Sequence, residues 1–330
     1  MNPTPWGRPA GALDGGWAVV DVETSGLRPG QARVISIAAL GLDAAGRVEQ
    51  SMVSLLNPGV DPGPTHVHGL SAAMLEDQPR FADIVGDLVE VLRGRTLVAH
   101  NVAFDYSFLA AEAEMIDVEL PVDSVMCTVE LARRLELGVA DLRLETLAAH
   151  WGICQRRPHD AFDDALVLSG VLAAALERAR SGDVWLPVHP VMRHHWPNGL
   201  VTHDELRPLK VLAARMPCPY QNPGRFVRGR PLVQGMRVAL AAEVGRTHEE
   251  LVERILHAGL AYSDDVDRNT SLVVCNDTAP GQGKGFHALR LGVPMVSDSQ
   301  FLDNVGSVVG GTSMEEFTCA APAETQLPLF

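Results

Sequence analysis

Asp21 and Glu23 stand two residues apart in the apolar run Val19-Val20-Asp21-Val22-Glu23. On a strand, residues i and i+2 share one face, so the two carboxylates point to the same side of a sheet. Two further blocks carry related chemistry. Asp105 closes His100-Asn101-Val102-Ala103-Phe104-Asp105, and Asp164 lies five residues after His159 in His159-Asp160-Ala161-Phe162-Asp163-Asp164. Carboxylates gathered from distant segments repel unless cations neutralise them. Hard divalent ions prefer oxygen donors, and Mg²⁺ takes one or two carboxylates with water and phosphate oxygens. A neutral histidine nearby could take a proton from water near neutral pH. Together these are the parts of a two-metal phosphodiester hydrolase.

Each residue also has a plainer reading. Asp21 could end a strand and Glu23 begin a turn, and His159 could be an ordinary loop histidine. Asp105 and Asp164 lie near predicted helix starts, where an acid meets the positive end of the helix dipole. Asp160 reads as a cap, and Asp163 as a solvated residue at a helix start.

The elements that must position these side chains are legible in outline. Three β-rich runs, Trp17 to Val22, Arg33 to Leu42 and Val48 to Leu56, are separated by Gly, Pro and Asp signals and predict a three-stranded meander. A helix is expected over Phe81 to Leu92 and a short buried strand over Thr96 to Ala99. Helical periodicity then runs through Phe104 to Ile116, Ser124 to Leu135, Leu142 to Trp151 and Ala161 to Ala179.

Composition bounds the function. The 330 residues suit two modest domains and a connector, and 46% hydrophobic residues are ample for packed cores. A formal net charge of −14 argues against coating nucleic acid by bulk electrostatics, though a metal inverts the local charge of an acidic site. Five scattered cysteines without a C-x-x-C pair argue against a disulfide framework or a structural zinc site. No signal peptide is visible and no apolar run is long enough to span a bilayer, so a soluble cytoplasmic protein with no membrane partner is expected.

The three blocks, in this order and spacing, resemble the DEDDh 3′→5′ exonucleases, the family of the proofreading epsilon subunit of bacterial replicative polymerases. Arg33-Val34-Ile35-Ser36-Ile37, His68-Gly69-Leu70-Ser71 and Leu144-Glu145-Thr146-Leu147 add to the match. The resemblance implies that Asp21, Glu23, Asp105 and Asp164 ligate two divalent ions, Mg²⁺ or Mn²⁺, and that His159 is the general base. It also implies that Thr24, Ser25 and Gly26 contact the terminal nucleotide, with Leu27, His100, Asn101 and Phe104 lining the same pocket. For Leu27 and Phe104, core packing is an equal reading.

The implied fold class is α/β: a ribonuclease H-like mixed sheet with flanking helices, plus a small α/β BRCT-like domain. The expected organisation is a leader (1–15), the exonuclease domain (16–180), a Pro-rich connector (181–230), the BRCT-like domain (231–306) and a flexible tail (307–330). In the connector, Arg225-Phe226-Val227-Arg228-Gly229-Arg230 is the local candidate for phosphate contact, and His194-His195 reads as solvated or packing. The BRCT resemblance rests on Gly235, Gly259, Thr270-Ser271-Leu272-Val273-Val274 and Lys284. It departs at Ala241-Ala242, where phosphate-gripping members carry a hydroxyl and a glycine, so a structural or protein-docking role is expected.

The tail carries Gln326-Leu327-Pro328-Leu329-Phe330 after a run of small residues. Its Gln326, Leu327, Leu329 and Phe330 resemble the bacterial sliding-clamp-binding motif. The expected protein is therefore a metal-dependent 3′→5′ exonuclease acting on DNA 3′ ends in replication or repair. The alternatives are an RNA-trimming exonuclease, since the metal centre is indifferent to the sugar and RNA discrimination needs 2′-OH contacts, and a non-catalytic clamp or DNA adaptor.

Overall fold

The computed structural model describes residues 7–9, 15–195, 197, 201–203 and 209–314. Most of the expected leader, and the whole Gln326–Phe330 motif, lie outside the described residues. The chain divides into two compact units, with the division between Leu206 and Arg207. Among the described residues, no helix is long and apolar enough to cross a membrane.

The first unit opens with β1 (Arg8–Pro9) and the meander β2 (Trp17–Thr24), β3 (Val34–Leu42) and β4 (Val48–Leu55). Two single-turn helices, α1 (Thr65–His68) and α2 (Ala72–Leu75), precede α3 (Phe81–Leu92). Then β5 (Thr96–Ala99), α4 (Val102–Met115), β6 (Ser124–Cys127), α5 (Thr128–Leu135), α6 (Leu144–His150) and the long α7 (Ala161–Ser181) follow. Four short strands close the unit: β7 (Trp185–Leu186), β8 (Val188–Pro190), β9 (Arg193–His195) and β10 (Val201–His203).

Six of these strands form one mixed sheet in the order β4-β3-β2-β5-β6-β8. The β2, β3 and β4 pairings are antiparallel, β5 and β6 run parallel to β2, and β8 returns antiparallel on β6. Alternation along β2 divides the core. Ala18, Val20 and Val22 pack with Leu88 of α3 and Phe108 and Leu109 of α4. Trp17 and Val19 pack on the other face with Leu131 of α5 and Leu168 and Leu172 of α7. Asp21 and Glu23 share the parity of Trp17 and Val19 and so lie on the α7 side.

Two expectations are corrected here. Ser124 to Cys127, read as the start of a helix, is the strand β6 beside β5. Ser124 and three apolar residues running into a helix without a breaker carry no period of their own, and pairing decides. Val188–Pro190 extends the sheet beyond residue 180, inside the expected connector. Pro190 is compatible with that edge position, because an edge strand leaves one row of amides unpaired. The pair His194-His195 lies in the short hairpin of β9 and β10, exposed.

The second unit begins with α8 (Leu209–Ala213) and continues through β11 (Arg237–Leu240), α9 (His248–His257), β12 (Ala261–Ser263) and β13 (Leu272–Val274). It ends with α10 (Gly283–Leu291), β14 (Met295–Val296) and α11 (Asp298–Val305). The strands form an all-parallel sheet in the order β12-β11-β13-β14. The three-residue β12 was not anticipated. Nor are the basic residues of the Arg225–Arg230 turn all open to phosphate. Arg225 donates to the carbonyls of Gly292 and Leu291 at 2.7 and 2.8 Å, and Arg228 to that of Met295 at 3.1 Å. The chain's two lysines converge on Asp264 Oδ1, Lys284 at 3.0 Å and Lys210 at 3.3 Å. With Tyr262 also donating at 3.1 Å, these cations hold the Asp264 carboxyl down at about 2.

Candidate active site

The carboxyl ends of the parallel strands β2 and β5 lie side by side, the position at which open α/β sheets bind ligands. Strand β2 delivers Asp21 and Glu23, and its register against β3 shifts between Glu23 and Thr24, where Ile35 of β3 is the extra residue. Bulges beside active sites bend a strand and re-aim a side chain. Strand β5 passes into α4 through only His100 and Asn101. Asn101 takes the left-handed conformation (φ 75°), which asparagine tolerates better than most residues, and this tight turn sets Asp105 in the first turn of α4. The buried Asp105 accepts the Val22 amide at 3.2 Å, so the helix is latched to β2 between its two acids.

Asp164 comes from the first turn of α7 on the opposite face of the sheet. Its Oδ1 accepts from Gln155 Nε2 at 2.6 Å and its Oδ2 from the His159 amide at 3.0 Å. His159 is exposed and left-handed, with φ 65°. One of its ring nitrogens and one carboxylate oxygen each from Glu23 and Asp164 all lie within 4.8 Å of one another. Asp160 caps α7 by accepting the Asp163 amide at 3.0 Å, as expected. Asp163 does more than meet solvent: its Oδ2 accepts the amides of both Arg156 and Arg157 at 2.8 Å. This pins the loop that presents His159.

The electrostatics of the four acids are those of a site short of positive charge. Burial, then the charges of Asp105, Asp164 and Glu23, raise the Asp21 carboxyl well above the ordinary range. Burial, with Asp164 and Asp105 adding repulsion, pushes Glu23 up to about 8. Burial lifts Asp105 to about 7 against the opposing hydrogen bond from Val22. Asp164 is also raised by burial, though the bonds from Gln155 and His159 pull the other way. Four hard oxygen donors drawn from three segments, each resisting ionisation, are the donor set a divalent cation would satisfy.

The expected pocket residues fall into different environments. Thr24 and Ser25 hydroxyls serve the loop itself: Thr24 Oγ1 donates to the Gly26 carbonyl at 2.7 Å, and Ser25 Oγ accepts the Arg33 amide at 2.9 Å. Leu27 is 84% exposed, which removes the core-packing reading for it. Phe104 is half-buried against Phe108 with ring centroids 4.9 Å apart, so packing accounts for much of its ring. His100 turns toward Thr128, Nδ1 to Oγ1 3.0 Å, and burial lowers its pKa. Asn101 is exposed at the strand-to-helix turn.

Residues given no site role by the sequence complete the surroundings. Gln155 fixes Asp164. Gly63 crosses Ser25 so closely that a Cβ would lie 2.1 Å from the Ser25 carbonyl oxygen, which pins the 58–63 strap against the Thr24–Gly26 block. The buried His68 accepts the Leu70 amide at Nδ1, 3.1 Å, and lies near enough to His159 for their charges to interact. A glycine in Asp61-Pro62-Gly63-Pro64 reads as an ordinary loop, so the sequence carries no signal for this crossing.

The RNase_T exonuclease family matches residues 18–172, which contain all four acids of the centre and His159. The DNA polymerase III epsilon subunit of Treponema pallidum (strain Nichols) is 33% identical over 150 residues, covering 44% of this chain and 70% of that protein. The chain belongs to this exonuclease family. A Mycobacterium tuberculosis (strain CDC 1551 / Oshkosh) protein, named as a bifunctional exonuclease/endonuclease, is 31% identical over 241 residues. That match covers 70% of this exonuclease-family chain and 36% of the mycobacterial one. The 3′-5′ exonuclease DinG of Bacillus subtilis (strain 168) is 29% identical over 167 residues, 50% of this chain and 18% of DinG. The chain thus spans about a third of the length of the mycobacterial relative and less than a fifth of DinG.

Proposed function

We propose that the chain is a divalent-metal-dependent 3′→5′ exonuclease that shortens DNA from single-stranded or frayed 3′ ends, releasing nucleoside monophosphates in replication proofreading or repair. The observation that carries this reading is the convergence of Asp21, Glu23, Asp105 and Asp164, with the His159 ring beside Glu23 and Asp164. The names of the relatives, a DNA polymerase subunit and a 3′-5′ exonuclease, support DNA and this polarity.

Asp21, Glu23, Asp105 and Asp164 would hold two ions, Mg²⁺ or Mn²⁺. Bound there, such ions supply charge neutralisation and polarise water and phosphate oxygens. His159 takes the proton of the attacking water at the ring nitrogen that faces Glu23 and Asp164. Water oxygen bonds to the terminal phosphorus, the bond to the 3′-oxygen of the preceding nucleotide breaks, and that oxygen leaves. Gln155, Asp160 and Asp163 hold His159 and Asp164 in place through the bonds described above. Leu27, exposed beside the Thr24–Gly26 block, is available to the terminal nucleotide. Matched DNA and RNA strands given to the protein with Mg²⁺ test the substrate assignment. Faster trimming of RNA would overturn it in favour of an exoribonuclease.

Residues 16–180, with the Val188–Pro190 strand that completes the sheet, are proposed as the catalytic domain and residues 231–306 as a BRCT-like docking module. The parallel four-stranded sheet and its helices support the second assignment, and the tying of Lys284 to Asp264 favours protein docking over phosphate reading. The Gln326–Phe330 pentapeptide is proposed to bind a bacterial sliding clamp, on the sequence pattern alone. Tethering would raise the local concentration of the nuclease at primer ends even through a weak contact. Removing residues 326–330 is expected to abolish clamp binding in a titration and to leave trimming of free oligonucleotides unchanged. Equal clamp affinity before and after truncation would rule the motif out.

A further inference from the structure

Arg33 and Glu112 form a paired contact just behind the acidic centre. Arg33 Nε and Nη2 donate to Glu112 Oε1 and Oε2 at 2.8 and 2.7 Å, and the Glu112 side chain is only 2% exposed. Glu112 Oε1 also accepts the Val34 amide at 3.0 Å. Arg33 Nη1 reaches the Pro58 carbonyl at 3.3 Å, at the start of the strap that crosses Ser25. The Arg33 main chain exchanges further bonds with Ser25: its amide donates to Ser25 Oγ and its carbonyl accepts the Ser25 amide, both at 2.9 Å.

The placement of this pair matters more than its charge. Glu112 lies seven residues after Asp105 on α4, close to two full turns, so both acids share one helix face. Each takes a main-chain amide from a neighbouring strand, Asp105 from Val22 of β2 and Glu112 from Val34 of β3. Val34 is the partner of Thr24 at the bulge, where the register slips beside Glu23. One helix is therefore latched to both strands that meet at the irregularity beside Glu23.

We infer that Arg33 and Glu112 are positioning residues for the metal centre. Glu112 holds the bulge, and Arg33 locks Glu112, the 58–63 strap and the Ser25 turn to it. Together they fix the spacing of Asp105 from Glu23. This rests on the assignment of those two acids as metal ligands.

The test is a calorimetric Mn²⁺ titration of the full-length protein, with Mg²⁺ activation of trimming measured in parallel. Replacing a buried ion pair by apolar side chains of similar volume is often neutral for stability, so Arg33→Met/Glu112→Met is expected to fold. Its Mn²⁺ Kd should rise roughly 10–100-fold, the scale seen when groups that orient metal ligands are removed. Glu112→Gln keeps an acceptor for the Val34 amide but loses one of the two oxygens that Arg33 grips, so its Kd should rise, by less than that of the double variant. A folded double variant with wild-type Mn²⁺ Kd would overturn the inference. If the double variant does not fold, Arg33→Lys decides, because an ammonium lacks the planar fork that grips both carboxylate oxygens. A raised Kd there supports the positioning role and an unchanged one overturns it. Should the wild type itself bind no Mn²⁺, the ligand assignment fails first, and the inference with it.

Discussion

His159→Ala is expected to slow nucleotide release by roughly 10²–10⁴-fold, the range over which a positioned general base contributes. The fold should survive. His159 is exposed, and Asp164 is anchored by the His159 main-chain amide, which alanine retains. The left-handed backbone at φ 65° needs a control, since alanine tolerates it poorly. His159→Asn supplies it, because asparagine accepts that conformation and cannot act as the base. Both variants should lose rate alike in a single-turnover assay while their melting temperatures and DNA affinities stay close to wild type. If either keeps the wild-type rate, the proton goes elsewhere.

In chelator, raising the pH from about 5 to about 8 is expected to destabilise the protein through its acidic centre. Ordinary carboxyls titrate near 4 in an unfolded chain. In the folded protein Glu23 titrates at about 8, Asp105 at about 7, and Asp21 well above its ordinary value. Between those limits the folded state binds more protons than the unfolded state, so stability is present at low pH and lost as pH rises. Each proton of difference costs about 1.4 kcal/mol per pH unit. His68 and His100, whose pKa values burial lowers, act in the opposite sense at the acid end. The comparison that isolates the centre is therefore wild type against Asp105→Asn. The variant should lose less of its melting temperature over the same pH span while being inactive. Mg²⁺ should remove the loss in wild type, because a bound cation takes the place of the protons. Identical pH profiles for the two proteins in chelator would contradict the repulsion argument.

The acidic blocks were legible because acids interrupt apolar runs at positions where burial is otherwise the rule. Asp21 and Glu23 in β2 are the clearest case, and the meander around them follows from its turn residues. What remained hidden depends on partners that spacing does not reveal. Gln155 meets Asp164 across a loop, Asp163 serves two main-chain amides, and Glu112 meets Arg33 from 79 residues away. The Arg225 and Arg228 guanidiniums looked free in sequence because their acceptors are carbonyls of Gly292, Leu291 and Met295. Local pattern also failed at Ser124 to Cys127, where a parallel neighbour made a strand of a segment that runs straight into a helix.

The centre built from Asp21, Glu23, Asp105 and Asp164 is proposed to remove nucleotides from the 3′ end in a metal-dependent reaction. A 5′-labelled single-stranded DNA oligonucleotide incubated with purified protein, in chelator and then with Mg²⁺ or Mn²⁺ restored, tests it in one experiment. No cleavage is expected in chelator. With metal, a ladder of steadily shorter fragments that keep the 5′ label is expected, and no ladder for Asp21→Asn. Cleavage that persists in chelator, or early release of the labelled 5′ nucleotide, would contradict this proposal.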